Sequence, residues 1–291
     1  MPPSLDDLRR RIDEIDDRLQ DLVIERAEVV AAIGAQKHAE GVALLRPGRE
    51  AQILRRLVAR HRGPFSRAVL VRLWRELISG VTMIQGEFAV AVSALEEMPD
   101  YWDLARDHFG SHAPMVAFHS AGEVLRALAE GRVMVGVVPM PTEGERSPWW
   151  PLLAVASDSA PKVMARLPFG SRGNARGDGG FDALVIGLGV ADPTGDDRSL
   201  IAIETVGELS RARLIGALTG AGLEVTLSAV HEPSGESAWH LIEIDDMVGP
   251  GEARFDQALK PLEDKIARVS PLGSYAKPFT SAALGARSEG R

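Results

Sequence analysis

Leu5, Leu8, Ile12, Ile15, Leu19 and Leu22 recur at alternating steps of three and four, the rhythm of one face of an α-helix. The same rhythm then lands on Arg26, Val29, Ile33 and Lys37, so two cations stand in line with an apolar stripe. Ser4 ahead of Leu5, Asp6 and Asp7 reads as an N-cap with acids in the first turn, and Gly41 as the stop after Glu40. Such a helix is roughly 54 Å long. That is too long for a small domain to cover, which predicts packing against a partner chain. Pro47 opens a second helix with Ile53, Leu54, Leu57 and Val58 on one face, ended by Gly63 and Pro64. A third carries Val69, Leu70, Leu73, Trp74, Leu77, Ile78 and Val81 and reaches Gln85. Residues 1–86 are expected to form an all-α, three-helix domain.

Beyond Gly86 the pattern changes to short apolar runs, Phe88 to Val92, Met115 to Phe118 and Val133 to Val138, alternating with helical stretches. This predicts an α/β layer over residues 87–197. Glu143 to Pro151, which holds Trp149 and Trp150 between prolines, reads as a loop whose aromatics pack on the domain surface in preference to lining a cleft. Gly170 to Gly180 (GSRGNARGDGG) reads as flexible. Residues 198–280 read as strand, helix (Leu209 to Gly220), strand (Leu223 to Val230), strand (Ala238 to Ile244) and helix (Ala253 to Lys265), a small ferredoxin-like α+β unit. The tail, from about Thr280 and over residues 281–291, is expected to be frayed.

Composition narrows the function classes. With 45 % hydrophobic and 25 % charged residues the chain is an ordinary globular protein, and 291 residues suffice for two or three domains. The absence of cysteine removes disulfides and thiolate zinc sites and agrees with a reducing cytoplasm. No apolar run approaches the ~18 residues a membrane helix needs, and no signal-peptide core opens the chain, so a soluble protein without a membrane partner is expected. The net charge of −8 is uneven: up to Gly86 there are 15 Lys and Arg against 12 Asp and Glu, and beyond it 18 against 29. The basic end suits small anions. Nucleic acid is disfavoured because the arginines alternate with acids and no aromatic ladder accompanies them.

Arg26 and Lys37 are eleven residues apart, about 20° around the helix and roughly 16 Å along it, so their long side chains can converge on one small dianion. Arg9 lies roughly 25 Å before Arg26 on the same rod. It cannot join that site from the same chain, but an antiparallel partner helix would bring its own Arg9 beside Arg26, which makes a two-fold dimer the economical geometry. Two plainer readings stay open: Arg26 pairs with an acid of a neighbouring helix, and Lys37 extends its head into water. His108 and His112 lack a carboxylate at ligand spacing, and Gly187 and Gly189 precede Asp192-Pro193 where a nucleotide loop would open a helix. Neither a metal nor a cofactor is expected.

The spacing Arg9, Arg26, Lys37, Arg49-Glu50 and Gln85 resembles the helical chorismate mutase family, as do the run Leu8 to Ala32, RPGRE at Arg46 to Glu50, and LWRELISGVTMIQ ending at Gln85. The resemblance implies an intertwined homodimer that rearranges chorismate to prephenate in aromatic amino-acid biosynthesis, with no nucleophile, metal or cofactor. It implies catalytic roles for five residues. Arg26 and the partner subunit's Arg9 would grip the two carboxylates, Lys37 and Gln85 would donate to the ether oxygen, and Glu50 would accept from the ring hydroxyl. Arg49 would support the carboxylate side. Arg46, standing where the family often has an acid, would act through its backbone, and Val81, where the family often has a serine, removes one polar contact. Gln85 is neutral, so the rate should need no protonation in the neutral range.

Tyr101 to Gly110, Ser120 to Gly131 and Gly136 to Gly144 resemble prephenate dehydratase, whose α/β domain is of the periplasmic-binding-protein-like kind, and Asp256 to Tyr275 resembles the regulatory ACT domain that follows it. Phe181, Asp182 and Ala183 replace the dehydratase's Thr-Arg-Phe motif, and Met140 to Thr142 its Glu-Asn-Ser motif. Leu209, Ser210 and Arg211 stand in for the ACT effector motif Gly-Ala-Leu, with Gly216-Ala217-Leu218 seven residues late, and Val230 to Pro233 for a second motif. The expected protein is thus a cytoplasmic chorismate mutase with a dehydratase-like domain that is silent. A bifunctional mutase and dehydratase is the first alternative, and a non-catalytic, amino-acid-responsive scaffold the second.

Overall fold

The structure, a computed structural model, describes residues 2–41, 43–94, 100–145, 147–154, 160–173, 180–189, 191–234 and 237–285. Three helices come first, α1 (Leu5–Glu40), α2 (Pro47–Arg60) and α3 (Arg67–Gln85). Ser4 and Asp7 cap α1 reciprocally: the Ser4 hydroxyl accepts from the Asp7 N–H at 3.1 Å, and the Asp7 carboxylate accepts from the Ser4 N–H at 3.3 Å. Gly41 ends the helix in the left-handed conformation at φ 66°.

These helices do not close a core of their own. α2 and α3 turn Ala51, Leu54, Val58, Val71 and Ile78 against Phe169, Ala276 and Leu284 of the later chain. On α1 the one buried residue is Gly34, whereas Leu5, Leu8, Ile12, Ile15, Leu19, Leu22, Val29 and Ile33 are all exposed. The predicted stripe exists, and within a single chain nothing covers it. Val69 and Leu73 of α3 are exposed as well, because the face α3 buries carries Val71, Arg75, Ile78, Ser79 and Thr82.

The remainder alternates β1 (Val90–Ser93), α4 (Asp100–Phe109), β2 (Met115–Phe118), α5 (Ala121–Ala129), β3 (Val135–Pro139), α6 (Trp150–Ala154), β4 (Lys162–Leu167) and β5 (Ala183–Gly187). There follow β6 (Asp197–Val206), α7 (Arg211–Gly220), β7 (Val225–Ser234), β8 (Ser237–Ile244), α8 (Ala253–Leu259), a 3-10 turn and β9 (Ile266–Ala276). One nine-stranded sheet runs through all of it in the order β2-β1-β3-β5-β4-β9-β6-β8-β7. β2, β1 and β3 are parallel, and β5 and β4 run antiparallel to their neighbours on that side. β9, β6, β8 and β7 are mutually antiparallel in the order of a split βαβ unit. The two halves expected as separate units therefore share a sheet, joined where Val163 of β4 meets Gly273 of β9. A Cβ at position 273 would sit 2.0 Å from the Val163 carbonyl oxygen, and the residue lies at φ 145°, so only glycine permits the seam.

Trp149 and Trp150 are buried in the core with Leu184, Ile186, Leu200, Leu241 and Tyr275, and Trp150 begins α6 where a loop was expected. The indole N–H of Trp149 donates to the Pro139 carbonyl at 3.0 Å. The helix expected over Ala253 to Lys265 ends at Leu259 and tightens into a 3-10 turn at Lys260–Lys265, which begins with Lys260-Pro261. The frayed tail needs correcting up to residue 285: Leu284 is buried, and Arg67 donates to the Ala283 carbonyl at 3.2 Å. Residues 286–291 lie outside the described residues, as do 174–179 of the expected flexible segment, whereas the Gly173 N–H donates to Asp107 at 2.8 Å. Among the described residues no helix is long and apolar enough to cross a membrane.

Candidate active site

The last third of α1 packs on α3, and there the two cations of the stripe meet α3 side chains. The Arg26 guanidinium lies over the Trp74 ring, 5.5 Å from its centroid, and its Nη1 is buried with no hydrogen-bond partner. Burial pushes the pKa of Arg26 down, and among the described residues no carboxylate opposes that shift. The plainer reading, an ion pair with a neighbouring helix, is therefore not met. One turn beyond Val81, Gln85 packs so tightly on α1 that a Cβ on Gly34 would stand 2.8 Å from its Cγ. The Gln85 Nε2 donates to the Val81 carbonyl at 3.3 Å, while its Oε1 is buried without a partner. The Gln85 carbonyl lies 2.6 Å from the His38 Nε2, which ties the two helix ends together. Buried polar groups are nearly always satisfied, so an unpaired donor and an unpaired acceptor along one helix seam make it the candidate site.

Lys37 is half-buried and donates from Nζ to the Leu44 carbonyl at 2.8 Å. Burial is the main reason its pKa falls below the usual lysine range; Arg46 adds to the effect, and Glu50 and Asp192 oppose it. Glu50 does not point freely into the seam. Its Oε2 accepts from the Arg75 Nη1 at 2.8 Å in a pair whose side chains are 14 % and 6 % exposed. Burial raises the Glu50 carboxyl and lowers the Arg75 guanidinium, each opposed by the charge of the other. Arg46 is held by Asp192 through two hydrogen bonds, one of them from Nε to Oδ2 at 2.9 Å. Val81 is half-buried, and Arg49 is exposed.

The structure thus gathers Arg26, Lys37, Val81 and Gln85 along the α1 and α3 seam, with Arg46 and Glu50 within electrostatic reach of Lys37. It leaves Arg9 apart. Arg9 is exposed on the projecting half of α1 and pairs with Asp6 at 3.2 Å, an exposed contact of little energetic weight. Sequence reasoning missed Trp74 as a platform, Arg75, His38 and Asp192. Arg75 had a signal: it shares helical spacing with Val71, Ile78 and Thr82, so a core-facing cation could be read there as it was at Arg26. Asp192, 146 residues from Arg46, had none.

In the later chain, Asp182 accepts from Arg166 at 2.7 Å and from Arg172 at 2.9 Å, so two cations surround the position read as lacking one. Buried Glu243 accepts from the Tyr275 hydroxyl and the Thr226 hydroxyl, and the Tyr275 pKa is raised, chiefly by burial. Of the residues at the expected effector motif, Leu209 is buried, Ser210 caps α7 and Arg211 pairs with Glu143 at 3.0 Å.

A projecting helix arm and a helical pair that borrows its core from a mixed α/β sheet define an N-terminal helical module fused to an α/β region, with the cations Arg26 and Lys37 along its α1 and α3 seam. Residues 8–86 match the chorismate mutase type II family. Over that stretch the chain resembles a helical chorismate mutase, and over part of its length it is similar to bifunctional relatives. The bifunctional chorismate mutase/prephenate dehydratase of Pseudomonas aeruginosa is 34 % identical over 143 residues, 47 % of this chain and 39 % of its own length. That of Stutzerimonas stutzeri is 32 % identical over the same coverage. The chain thus spans about two fifths of the length of these relatives. A solved structure described as GqqA, a novel type of quorum quenching acylases, superposes with a TM-score of 0.51 at 13 % identity, covering 70 % of this chain and all of the other. It shares the fold.

Proposed function

We propose that the N-terminal domain is a chorismate mutase that rearranges chorismate to prephenate within a homodimer, each site receiving Arg9 from the partner subunit. The observation that carries this reading is the pair of orphaned buried atoms, Nη1 of the half-buried Arg26 and Oε1 of Gln85, along the seam that also holds Lys37. A half-buried cation without an acid has given up part of its hydration uncompensated. A dianionic substrate removes that cost. The reaction is unimolecular, so the protein has to hold the substrate in its reactive chair and place donors where negative charge develops.

Arg26 and the partner subunit's Arg9 hold the two carboxylates, with Arg49 on the same side. Lys37 turns from the Leu44 carbonyl toward the ether oxygen. The Gln85 Nε2 keeps one N–H on the Val81 carbonyl and offers its other N–H to the same atom. Arg75 already engages Oε2 of Glu50, which fixes the carboxylate that accepts from the ring hydroxyl. Arg46 contributes through its backbone, and Val81 offers an apolar wall. The lack of cysteine agrees with a cytoplasmic setting, and the split βαβ half is read as an ACT-like unit.

Consumption of chorismate by the purified chain tests the reading. Lys37→Ala should slow turnover by roughly 10²- to 10³-fold, the size of losing one donor at a developing oxyanion. No rate above buffer, or an unchanged rate in Lys37→Ala, refutes it and leaves the scaffold reading.

The relatives, both named for two activities, favour a second reading over the mutase alone: the later chain converts prephenate to phenylpyruvate with loss of water and carbon dioxide. Arg166 and Arg172, held by Asp182, give that region cations able to orient a substrate carboxylate. Formation of phenylpyruvate from prephenate by the same preparation separates the two readings.

A further inference from the structure

The segment between β5 and β6 lies along the start of α2. Asp192 takes the Arg46 guanidinium in a two-point contact, the Pro193 carbonyl accepts from Gln52 at 3.2 Å, and the Thr194 hydroxyl accepts from Arg55 at 2.8 Å. Arg55 continues to the carbonyls of Asp196 at 2.9 Å and Lys277 at 3.0 Å. The approach is close enough to need Gly48: a Cβ there would stand 2.6 Å from the Asp192 carbonyl oxygen and 2.8 Å from its Cβ. Positions 48, 52 and 55 on one side of α2, with the N-cap Arg46, thus belong to this clasp, while Glu50 on another side serves the seam.

α2 begins without a side-chain cap, since its N-cap residue is Arg46. An acid at that end of a helix complements its dipole; Glu50 stands in the first turn, and Asp192 adds a second acid from the far side of the chain. Arg46 and Leu44 share the short connection between α1 and α2, and the Leu44 carbonyl is the group that receives Lys37. Until Lys37 turns to the substrate, the contacts therefore run from Lys37 to Leu44, along the connection to Arg46, and on to Asp192.

We propose that Asp192 is a positioning residue of the mutase site, supplied by the dehydratase-like region: it fixes Arg46 and the first turn of α2, and so the wall against which Lys37 and Glu50 are set. The inference rests on the mutase reading of that site. It gives the later chain a part in mutase chemistry that does not depend on any dehydratase activity.

Charge alone predicts the opposite sign. Removing a carboxylate from beside a site for a dianion should tighten binding, whereas losing the clasp should loosen it. In the full-length chain, Asp192→Ala is expected to raise KM for chorismate about tenfold with kcat within about threefold, the effect of losing one charge-assisted, two-point contact. Asp192→Glu restores KM to within about twofold, because the longer carboxylate can still reach the guanidinium. Gln52→Ala, which removes one neutral clasp hydrogen bond and leaves the Asp192 to Arg46 contact in place, raises KM by no more than about threefold. Should Asp192→Ala fail to fold, Asp192→Asn, of the same size, carries the same expectation at reduced amplitude. A KM that falls or stays constant in Asp192→Ala overturns the proposal, and so does a loss in Asp192→Ala that glutamate does not repair. If the unaltered chain does not consume chorismate, the mutase reading fails and this inference with it; an active chain indifferent to Asp192 sinks the inference alone.

Discussion

Arg75→Met breaks the buried pair that fixes Glu50 and keeps much of the volume of the lost side chain. The two charged groups are 2.8 Å apart, with side chains 6 % and 14 % exposed. At an effective dielectric of about 20 their attraction is about 6 kcal/mol, much of it offset by the desolvation both ions suffer. The measurable cost of removing one partner is about 3–5 kcal/mol, because a buried carboxylate is left uncompensated. The sign of the pH dependence follows from Glu50. Burial already raises its carboxyl pKa and Arg75 opposes the rise, so without Arg75 the pKa climbs further.

A carboxyl whose pKa is higher in the folded chain takes up its proton there first, which stabilises the fold as pH drops. The penalty of Arg75→Met is therefore full above the raised folded pKa and shrinks as pH falls toward the unfolded value of about 4.3. Urea unfolding of the unaltered chain, Arg75→Met, Glu50→Gln and the double variant, at about pH 8 and about pH 5.5, measures this directly. The double variant should recover most of the loss, since no buried charge remains. A penalty below about 1 kcal/mol at the higher pH, or one that grows on acidification, would show that the pair does not bear the load assigned to it.

Two further outcomes follow. His108 is buried and its pKa is held well below the usual histidine range, by burial first and the Arg75 charge second. Below about pH 6.5 the unfolded chain takes a proton that the folded chain refuses, so stability falls on acidification by up to about 1.4 kcal/mol per pH unit. In His108→Leu the slope between pH 7 and 5 should flatten by that amount, and an unchanged slope in thermal or urea melts contradicts the assignment. Co-expressing Arg9→Ala with Lys37→Ala tests the shared site: each variant alone is impaired, but the mixed dimer holds one intact site. Activity should return to about one quarter of the unaltered level if chains pair at random; no return would mean that Arg9 serves its own chain or none.

The helical third was legible because its signals are local. A three-and-four rhythm, the Ser4 and Asp7 cap, Pro47 at a helix start and Gly41 at a helix end each act within a few residues; α1 begins and ends at those marks, and α2 begins at Pro47 but ends at Arg60, ahead of Gly63. The elements of the split βαβ half were legible for the same reason up to α8, whereas β9, which joins the two halves, was not among them. What escaped depends on distant partners. α3 carries two candidate faces, and which of them is buried follows from α4 and Phe169, so Leu73 is exposed while Arg75 is inside. The shared sheet hangs on a single close approach at Gly273, and the tail is packed because Leu284 finds a slot between α2 and α3. In the candidate site the cations were legible as breaks in a stripe, whereas the partners that fix them, Trp74, Arg75 and Asp192, were not.

The exposed stripe and the unsatisfied seam are parts of one arrangement. α1 has 36 residues, and its packing on α3 is confined to the end that carries Arg26, Gly34 and Lys37. The other end shows water a row of leucines and isoleucines, each worth about 1.5–3 kcal/mol on full burial. Covering even part of that row outweighs the cost of holding one arginine in a half-buried place. In the proposed dimer a second copy laid antiparallel would cover the stripe and, by the same movement, carry its Arg9 along the rod to the neighbourhood of Arg26. Assembly energy would then come from the apolar positions, and the cations that the rhythm places among them would be left for the substrate. For that division to work, Arg26 must have no acid of its own, and among the described residues it has none.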